Sequence, residues 1–180
     1  MATSRKMRLR RRAREIALQL IYMAGLRPET EPMPALDLFD MEGALSLFAA
    51  DLAEEGELTP NPEKYPSLKA FDLDLTESER DAVIGYAAEL FEGVCSDRTA
   101  IEDIIRVNME SSWRPERLTA VDKAVISLAV YEGLVSRKAP VNVAISEAVV
   151  LAKTFGSEDS GRFVNGVLGR IARSEDDSES

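Results

Sequence analysis

Histidine is absent from the 180 residues of this chain, and cysteine occurs once, at Cys95. The lack of histidine removes the commonest general base and the commonest metal ligand, which excludes serine–histidine and cysteine–histidine catalysis and the usual zinc sites. A single cysteine cannot form an internal disulfide bond. Because no Gly-rich phosphate-binding loop is present either, we expect a protein that is not an enzyme and that binds no metal and no cofactor.

Long apolar segments are also missing. No apolar run reaches the ~18 residues that a membrane-spanning helix needs. The stretch 16–26 behind the basic N-terminus is interrupted by Gln19 and has a helical pattern, unlike a signal peptide. Together with the single cysteine, these absences predict a cytoplasmic protein. The length and the 45% hydrophobic content predict one domain with a substantial core.

Acidic residues are absent from the first fourteen positions, which contain seven basic ones: Arg5, Lys6, Arg8, Arg10, Arg11, Arg12 and Arg14. The whole chain nevertheless has a formal charge of −10. Charge separated in this way indicates a site for a polyanion, most simply a nucleic acid. Guanidinium groups suit phosphate because their planar fork donates two parallel hydrogen bonds, and they also stack on bases. A generic basic tail is the alternative interpretation.

The first helix is predicted over residues 5–25. A helical projection gives it a core-facing stripe of Leu9, Ala13, Ile16, Ala17, Leu20 and Ala24. The same projection places Arg8, Arg11, Arg12 and Arg14 over the opposite half. Leu18 and Tyr22 form a smaller apolar strip beside these charges, and either another layer of this protein or a partner protein covers that strip.

Helical patterns also dominate the second half of the chain. Thr76 and Glu79 form a T-x-x-E capping box at the start of a predicted helix. Residues 121–135 are apolar almost all round, which predicts the central core helix. A further helix is expected from Pro140 to Phe155 with Gly156 as its C-cap, and the polar turn 157–160 is expected to cap the last helix.

Two segments are predicted to lie outside this helical pattern. Residues 27–75 contain an acidic, Pro-containing insertion with one candidate helix at 38–52. Residues 174–180 are acidic and serine-rich, and they are expected to be a disordered tail. The helical domain itself is therefore expected to span residues 5–173.

The turn before the last helix is a second candidate binding surface. Phe163 projects to the edge of the core face, with Arg170 beside it and Arg162 further round. An aromatic ring flanked by arginines can stack on a single-stranded base, and such stacking contributes about 1–3 kcal/mol to binding. The alternative is that Phe163 fills space in the core. Asp159 has two interpretations as well, a helix-capping acid or an acceptor for a base amino group.

Two stretches of the sequence resemble the NusB family of bacterial transcription antitermination factors. The first is Arg10-Arg-Arg-Ala-Arg-Glu-Ile-Ala-Leu-Gln-Leu-Ile-Tyr22. The second contains A-x-x-E-A-x-x-L-A-K-x-F-G from Ala144, followed by E-D-S and F-V-N-G-V-L up to Leu168. The resemblance implies an all-α fold of about seven helices in two packed three-helix bundles.

The resemblance also implies a function. NusB proteins pair with the ribosomal protein NusE, bind the boxA element of ribosomal-operon RNA as single strand, and keep RNA polymerase elongating within an antitermination complex. By matching position, the RNA-binding residues here are Arg10, Arg11, Arg12, Arg14, Asp159, Arg162 and Phe163. The NusE side is implied to involve Tyr22, Glu116 and Asp122. Position 161 is Gly, so that the basic contribution of the loop differs from a fully basic version.

Two other functions are compatible with the residues. One is a helical protein–protein interaction scaffold or homodimer that uses the first helix as its interface, with no specific RNA function. The other is an RNA-binding module like the one in ribosomal RNA cytosine methyltransferases. Such enzymes continue into a cofactor-binding α/β domain, and this sequence contains no strand–Gly-rich–helix unit of that kind.

Overall fold

Six α-helices form the part of the chain that the structure describes, in which no β-strand occurs. The computed structural model describes residues 2–25, 76–109 and 118–178. The helices are α1 (Ala2–Gly25), α2 (Glu77–Ser96), α3 (Arg98–Asn108), α4 (Ala120–Val130), α5 (Val141–Phe155) and α6 (Ser160–Ser178). The all-α prediction is confirmed. The predicted helix at 38–52 and the acidic insertion lie outside the described residues.

The chain divides by its contacts into two compact units. Among the described residues, the first unit contains 2–16 and 76–88, and the second contains 17–25, 89–109 and 118–178. The boundary between the units falls within α1, after Ile16, and within α2, after Ala88.

The capping box at the start of α2 forms as the sequence predicts. The Thr76 N–H donates to Glu79 Oε2 at 3.0 Å, and the Glu79 N–H donates to Thr76 Oγ1 at 3.3 Å. These reciprocal bonds satisfy two N–H groups that have no partner within the helix. The helix therefore begins at a position fixed by two side chains.

The second unit is built around α4, which is the predicted central core helix. Residues 124–130 are buried without interruption, so this helix is covered on every side. Helices α5 and α6 pack against each other and against α4, and α3 packs against α4 and α6. Thr119 caps α4, because its Oγ1 accepts a hydrogen bond from the Asp122 N–H at 3.0 Å.

A π-helical turn, Tyr131–Val135, follows α4 directly. It ends where the N–H and the hydroxyl of Ser136 both donate to the Tyr131 carbonyl oxygen at 2.8 Å. The Tyr131 ring is buried against Gly93 of α2, where an added Cβ would lie 1.9 Å from Tyr131 Cζ. Gly93 is thus required for the close approach of the ring to the backbone of α2.

Helix α5 spans the predicted residues and ends at Gly156, but Gly156 is not in the left-handed conformation that favours glycine at helix ends (φ −96°, ψ −168°). An added Cβ at Gly156 would lie 2.5 Å from Ser160 Oγ and 2.6 Å from the Ala152 carbonyl oxygen. Close packing therefore explains this glycine.

The end of α6 differs from the prediction of a disordered tail at 174–180. The helix continues to Ser178. The prediction rested on the polarity of these residues and on their lack of apolar side chains to bury. A helix that is already formed extends at little cost, because each further residue adds one backbone hydrogen bond without a new nucleation step.

Cys95 lies near the end of α2 and is half-buried. Burial raises the pKa of its thiol to about 11, although the nearby positive charge of Arg98 acts in the opposite direction. Among the described residues, no helix has the length and apolar character needed to cross a membrane.

Candidate nucleic-acid interface

Helix α1 is buried around its full circumference between Ala13 and Ile21. Every residue of that stretch except Gln19 is buried, including Arg14, which is 4% exposed, and Glu15. The prediction that Arg14 lies on an outward half of the helix is therefore wrong. A helical projection identifies the side with most apolar residues, but it does not register that the opposite side is covered as well.

Arg12 is also largely covered. Its Nη1 donates to Glu15 Oε2 at 2.8 Å, and burial lowers the pKa of the guanidinium while the charge of Glu15 acts in the opposite direction. Removing a charge from water is costly unless an opposite charge accompanies it. The carboxylate of Glu15 therefore offsets part of the cost of burying the guanidinium group of Arg12. Arg12 and Arg14 are thus part of the packed interior around α1.

The exposed cations of α1 are Lys6, Arg8 and Arg10, and Arg11 is half-buried. The guanidinium carbon of Arg10 lies 5.4 Å from the centre of the Tyr86 ring of α2. This separation is within the range in which the negative face of an aromatic ring attracts a cation. The ring orients Arg10 while leaving the residue exposed.

Tyr86 contributes to the surface formed by the exposed cations of α1, and the sequence did not indicate this. It has the same helical spacing as Val83, Ala87 and Leu90, which are buried, so the pattern alone gives no sign that Tyr86 is partly exposed. In the structure Tyr86 is only half-buried. The signal that was available is chemical, since a tyrosine combines an apolar ring with a polar tip and often lies at the edge of a core.

A two-point ion pair holds the beginning of α1. Arg5 Nε donates to Glu79 Oε1, and Arg5 Nη2 donates to Glu79 Oε2 at 2.8 Å. Together with the hydrogen bonds from Thr76, this pairing lowers the pKa of Glu79 from 4.5 to about 2. The basic segment is therefore joined to the capping box of α2, and Arg5 serves as a structural cation.

The turn before α6 is organised by two serines. The Ser157 N–H donates to Ser160 Oγ at 2.9 Å, and the two hydroxyl oxygens lie 3.0 Å apart. Ser160 is 1% exposed, so its hydroxyl group acts inside the protein. The predicted capping turn at 157–160 is thus present, and the buried hydroxyl group of Ser160 holds its backbone in place.

The remaining residues of this turn point outward. Asp159 and Arg162 are both exposed, and Asp159 Oδ1 accepts a hydrogen bond from Arg162 Nη2. Phe163 is half-buried, which agrees with its predicted position at the edge of the core face. Asp159 thus has one oxygen occupied by an arginine, and its backbone carbonyl accepts the Phe163 N–H at 3.0 Å. These three residues belong to the second unit, whereas Arg10 and Arg11 belong to the first.

The residues implied for a protein partner are in different environments. Tyr22 is 36% exposed, and Met23 beside it is exposed too, whereas Leu18 of the same predicted strip is buried by this protein itself. Asp122 is 3% exposed, and its Oδ1 has no hydrogen-bond partner within the described part of the chain. Glu116 lies outside the described residues.

Comparison with known proteins identifies the family. The NusB family model matches residues 44–173. The transcription antitermination protein NusB of Symbiobacterium thermophilum is 35% identical over 167 residues, which cover 91% of this chain and 89% of that protein. NusB of Desulforudis audaxviator is 49% identical over 87 residues, which cover 48% of this chain and 62% of that protein.

A solved structure of the antitermination factors NusB and NusE in complex with double-stranded RNA has a similar fold. Its TM-score is 0.58 at 22% sequence identity, with 93% of this chain and 98% of that chain covered. The length of the family match, together with the similarity to the Symbiobacterium protein over nearly the whole chain, leads to one conclusion. This chain belongs to the NusB family.

Proposed function

We propose that this protein is a non-catalytic, RNA-binding transcription antitermination factor that recognises boxA-type single-stranded RNA of ribosomal operons together with NusE. Its membership of the NusB family and its similarity to transcription antitermination proteins support antitermination, and the solved structure of NusB and NusE in complex with double-stranded RNA supports the two partners. The observation that carries the RNA-binding part is the row of exposed cations on α1, in a segment without acids on a chain of charge −10.

The proposed roles follow from exposure and chemistry. Arg10 and Arg11 contact phosphates, assisted by Arg8, because guanidinium groups donate paired hydrogen bonds to phosphate oxygens. Phe163 stacks on an unpaired base with its exposed edge. Arg162 and Asp159 are close enough to contact each other, and RNA exchanges their mutual ion pair for contacts to a phosphate and to a base amino group.

The NusE-binding site is proposed at the C-terminal end of α1 and at the beginning of α4. Tyr22 carries this assignment because it exposes an aromatic ring beside Met23, and tyrosine is enriched at protein interfaces. Glu116 and Asp122 are assigned to the same partner by the resemblance. We further propose that the ternary complex acts on RNA polymerase during elongation.

The test is fluorescence anisotropy with a labelled boxA-like single-stranded RNA and a scrambled RNA of the same composition, near physiological salt, with and without NusE. We expect selective binding of the boxA-like RNA that becomes tighter when NusE is added. Equal binding of both RNAs, unchanged by NusE, would contradict the proposal. A Tyr22→Ala variant is expected to abolish the effect of NusE while leaving the binding of RNA alone unchanged.

Exposure of Tyr22 and Met23 also supports a second candidate function, a homodimer that pairs through the end of α1. Size-exclusion chromatography at several concentrations, with and without RNA and NusE, separates the candidates. A dimer that persists in the presence of NusE favours this second function. A monomer, or a dimer that NusE dissociates, favours the first.

A further inference from the structure

Gly161 is buried although it lies in the first turn of α6, next to the exposed residues Asp159 and Arg162. The side chain of Lys153, from the last turn of α5, accounts for this burial. A Cβ added to Gly161 would lie 2.6 Å from Lys153 Cγ, 3.0 Å from Cε and 3.4 Å from Cδ. The alkyl chain of the lysine therefore lies along the backbone of α6 at the position of the glycine.

This arrangement holds the stem of Lys153 against α6 while the residue as a whole stays exposed. Lysine covers apolar surface with its four-carbon stem while its ammonium group stays in water, and Lys153 is exposed overall. Any side chain at position 161 would displace the stem, because the built Cβ meets three successive carbons within ordinary contact distance or closer. Glycine at 161 thus leaves room for the stem of Lys153 beside the beginning of α6.

The position matters because the first turn of α6 already has features that suit RNA. Backbone N–H groups at a helix N-terminus attract anions. Arg162 supplies a guanidinium group, and Phe163 supplies the edge of an aromatic ring. Arg162 is paired with Asp159, so the charges of these two side chains offset each other. Lys153 brings a positive charge to this turn from a different helix.

We propose that Lys153 is a further RNA-contacting residue, which binds a phosphate beside the turn 157–163, and that Gly161 is the positioning residue that makes this contact available. The inference rests on the proposed RNA-binding function and deepens it. It also gives a physical reason for glycine at a loop position where a basic side chain was expected, since the basic group is supplied by Lys153 across the glycine.

A structural role for Lys153 predicts something different. A cation in the last turn of α5 interacts favourably with the negative end of the helix dipole, which stabilises the fold without involving RNA. Loss of this interaction would lower the melting temperature and leave the salt dependence of RNA binding unchanged. The salt dependence counts the cations that contact phosphate, so it separates the two roles.

The experiment compares Lys153→Ala, Gly161→Ala and the double variant with the unmodified protein, using the boxA-like RNA at four or more salt concentrations. Lys123→Ala is the matched control, because Lys123 is an exposed lysine of the same unit that contacts Glu102 of α3 and lies in α4, outside the turn 157–163. We expect Lys153→Ala to weaken binding roughly fivefold and to reduce the slope of log affinity against log salt by about 0.7, the value for one phosphate of a single strand.

Gly161→Ala is expected to weaken binding in the unmodified background and to have no further effect once Lys153 is alanine. An unchanged slope in Lys153→Ala, with RNA selectivity intact, would overturn the Lys153 contact and leave the proposed function standing. Equal affinities of the unmodified protein for boxA-like and scrambled RNA would overturn the proposed function instead. Additive effects of the two substitutions would overturn the positioning role of Gly161.

Discussion

The guanidinium group of Arg10 is oriented by the face of Tyr86, and the contribution of that ring can be measured. Replacement of Tyr86 by leucine removes the π-face and leaves an apolar side chain in the half-buried position. We expect a two- to fivefold loss of RNA affinity, since a cation–π contact at an exposed site contributes about 0.5–1 kcal/mol. The measurement is anisotropy with the boxA-like RNA.

Tyr86→Phe is the control for this prediction, because phenylalanine keeps a π-face at the same position. Its RNA affinity should remain close to that of the unmodified protein. Equal losses in the leucine and phenylalanine variants would show that the hydroxyl group, and not the ring face, supports Arg10. Circular dichroism on both variants checks that helix content is unchanged.

Glu79 makes the stability of the fold dependent on acid. The Arg5 ion pair and the Thr76 hydrogen bonds lower the pKa of this carboxyl from 4.5 to about 2. A carboxyl with a lowered pKa stabilises the folded protein above its ordinary pKa, and this stabilisation is lost as the pH falls from 4.5 towards 2. Glu79→Gln should therefore remove part of the decrease in stability over that range, measured by urea unfolding at several pH values.

The control for the acid prediction is Glu77→Gln, which makes the same change of charge at an exposed position in the first turn of α2. This variant should keep the acid dependence of the unmodified protein. An identical pH dependence in the unmodified protein and in Glu79→Gln would contradict the prediction.

At the scale of the helices, α2 contains two glycines with opposite expected effects. Gly93→Ala forces a methyl group into the Tyr131 ring, and overpacking of this kind destabilises a fold by about 1–3 kcal/mol. An added Cβ at Gly85 has no atom of the described residues within 4 Å, apart from the neighbouring backbone of its own helix. Gly85→Ala should therefore improve helix propensity and stabilise the protein by about 0.5–1 kcal/mol. Thermal unfolding of both variants measures whether each substitution raises or lowers stability. Destabilisation by Gly85→Ala, or unchanged stability of Gly93→Ala, would contradict the contacts described.

The turn before α6 offers a separate test at the same scale. Ser160→Ala removes the buried acceptor of the Ser157 N–H and should lower the free energy of unfolding by about 1 kcal/mol. Hydrogen exchange of the Ser157 amide should become faster in this variant. Ser146→Ala is the control, because the Ser146 hydroxyl is exposed and bonds only a carbonyl of its own helix among the contacts described. Unchanged exchange at Ser157 in Ser160→Ala would contradict the prediction.

Local signals in the sequence predicted where several helices begin and end. The capping box of Thr76 and Glu79, the Pro140 start and the Gly156 end of α5 all depend on neighbouring residues, and the structure has each of them. The face of α1 was predicted less well, because burial of Arg14 depends on surroundings that a projection of one helix does not contain. Tyr86 and Lys153 were missed for the same reason, since each gains its place in a surface from a partner on another helix.

At the scale of the whole molecule, the separation of charge controls binding. The chain has a formal charge of −10, while its first fourteen residues carry seven basic side chains and no acid. If about four phosphates of a single strand are neutralised, log affinity should fall with log salt at a slope of roughly −3. Anisotropy over a series of salt concentrations measures this slope, and a flat dependence would contradict the assignment of the cations to RNA.

The half-buried thiol of Cys95 has a practical consequence. Thiol-specific reagents attack the thiolate, and a thiol with a pKa of about 11 is almost entirely protonated at neutral pH. A cysteine introduced at an open position such as Met7, which is 60% exposed, should therefore react with a maleimide dye well before Cys95 does. The protein is thus suited to site-specific fluorescent labelling without prior removal of its own cysteine, which opens the basic end of α1 to single-molecule observation.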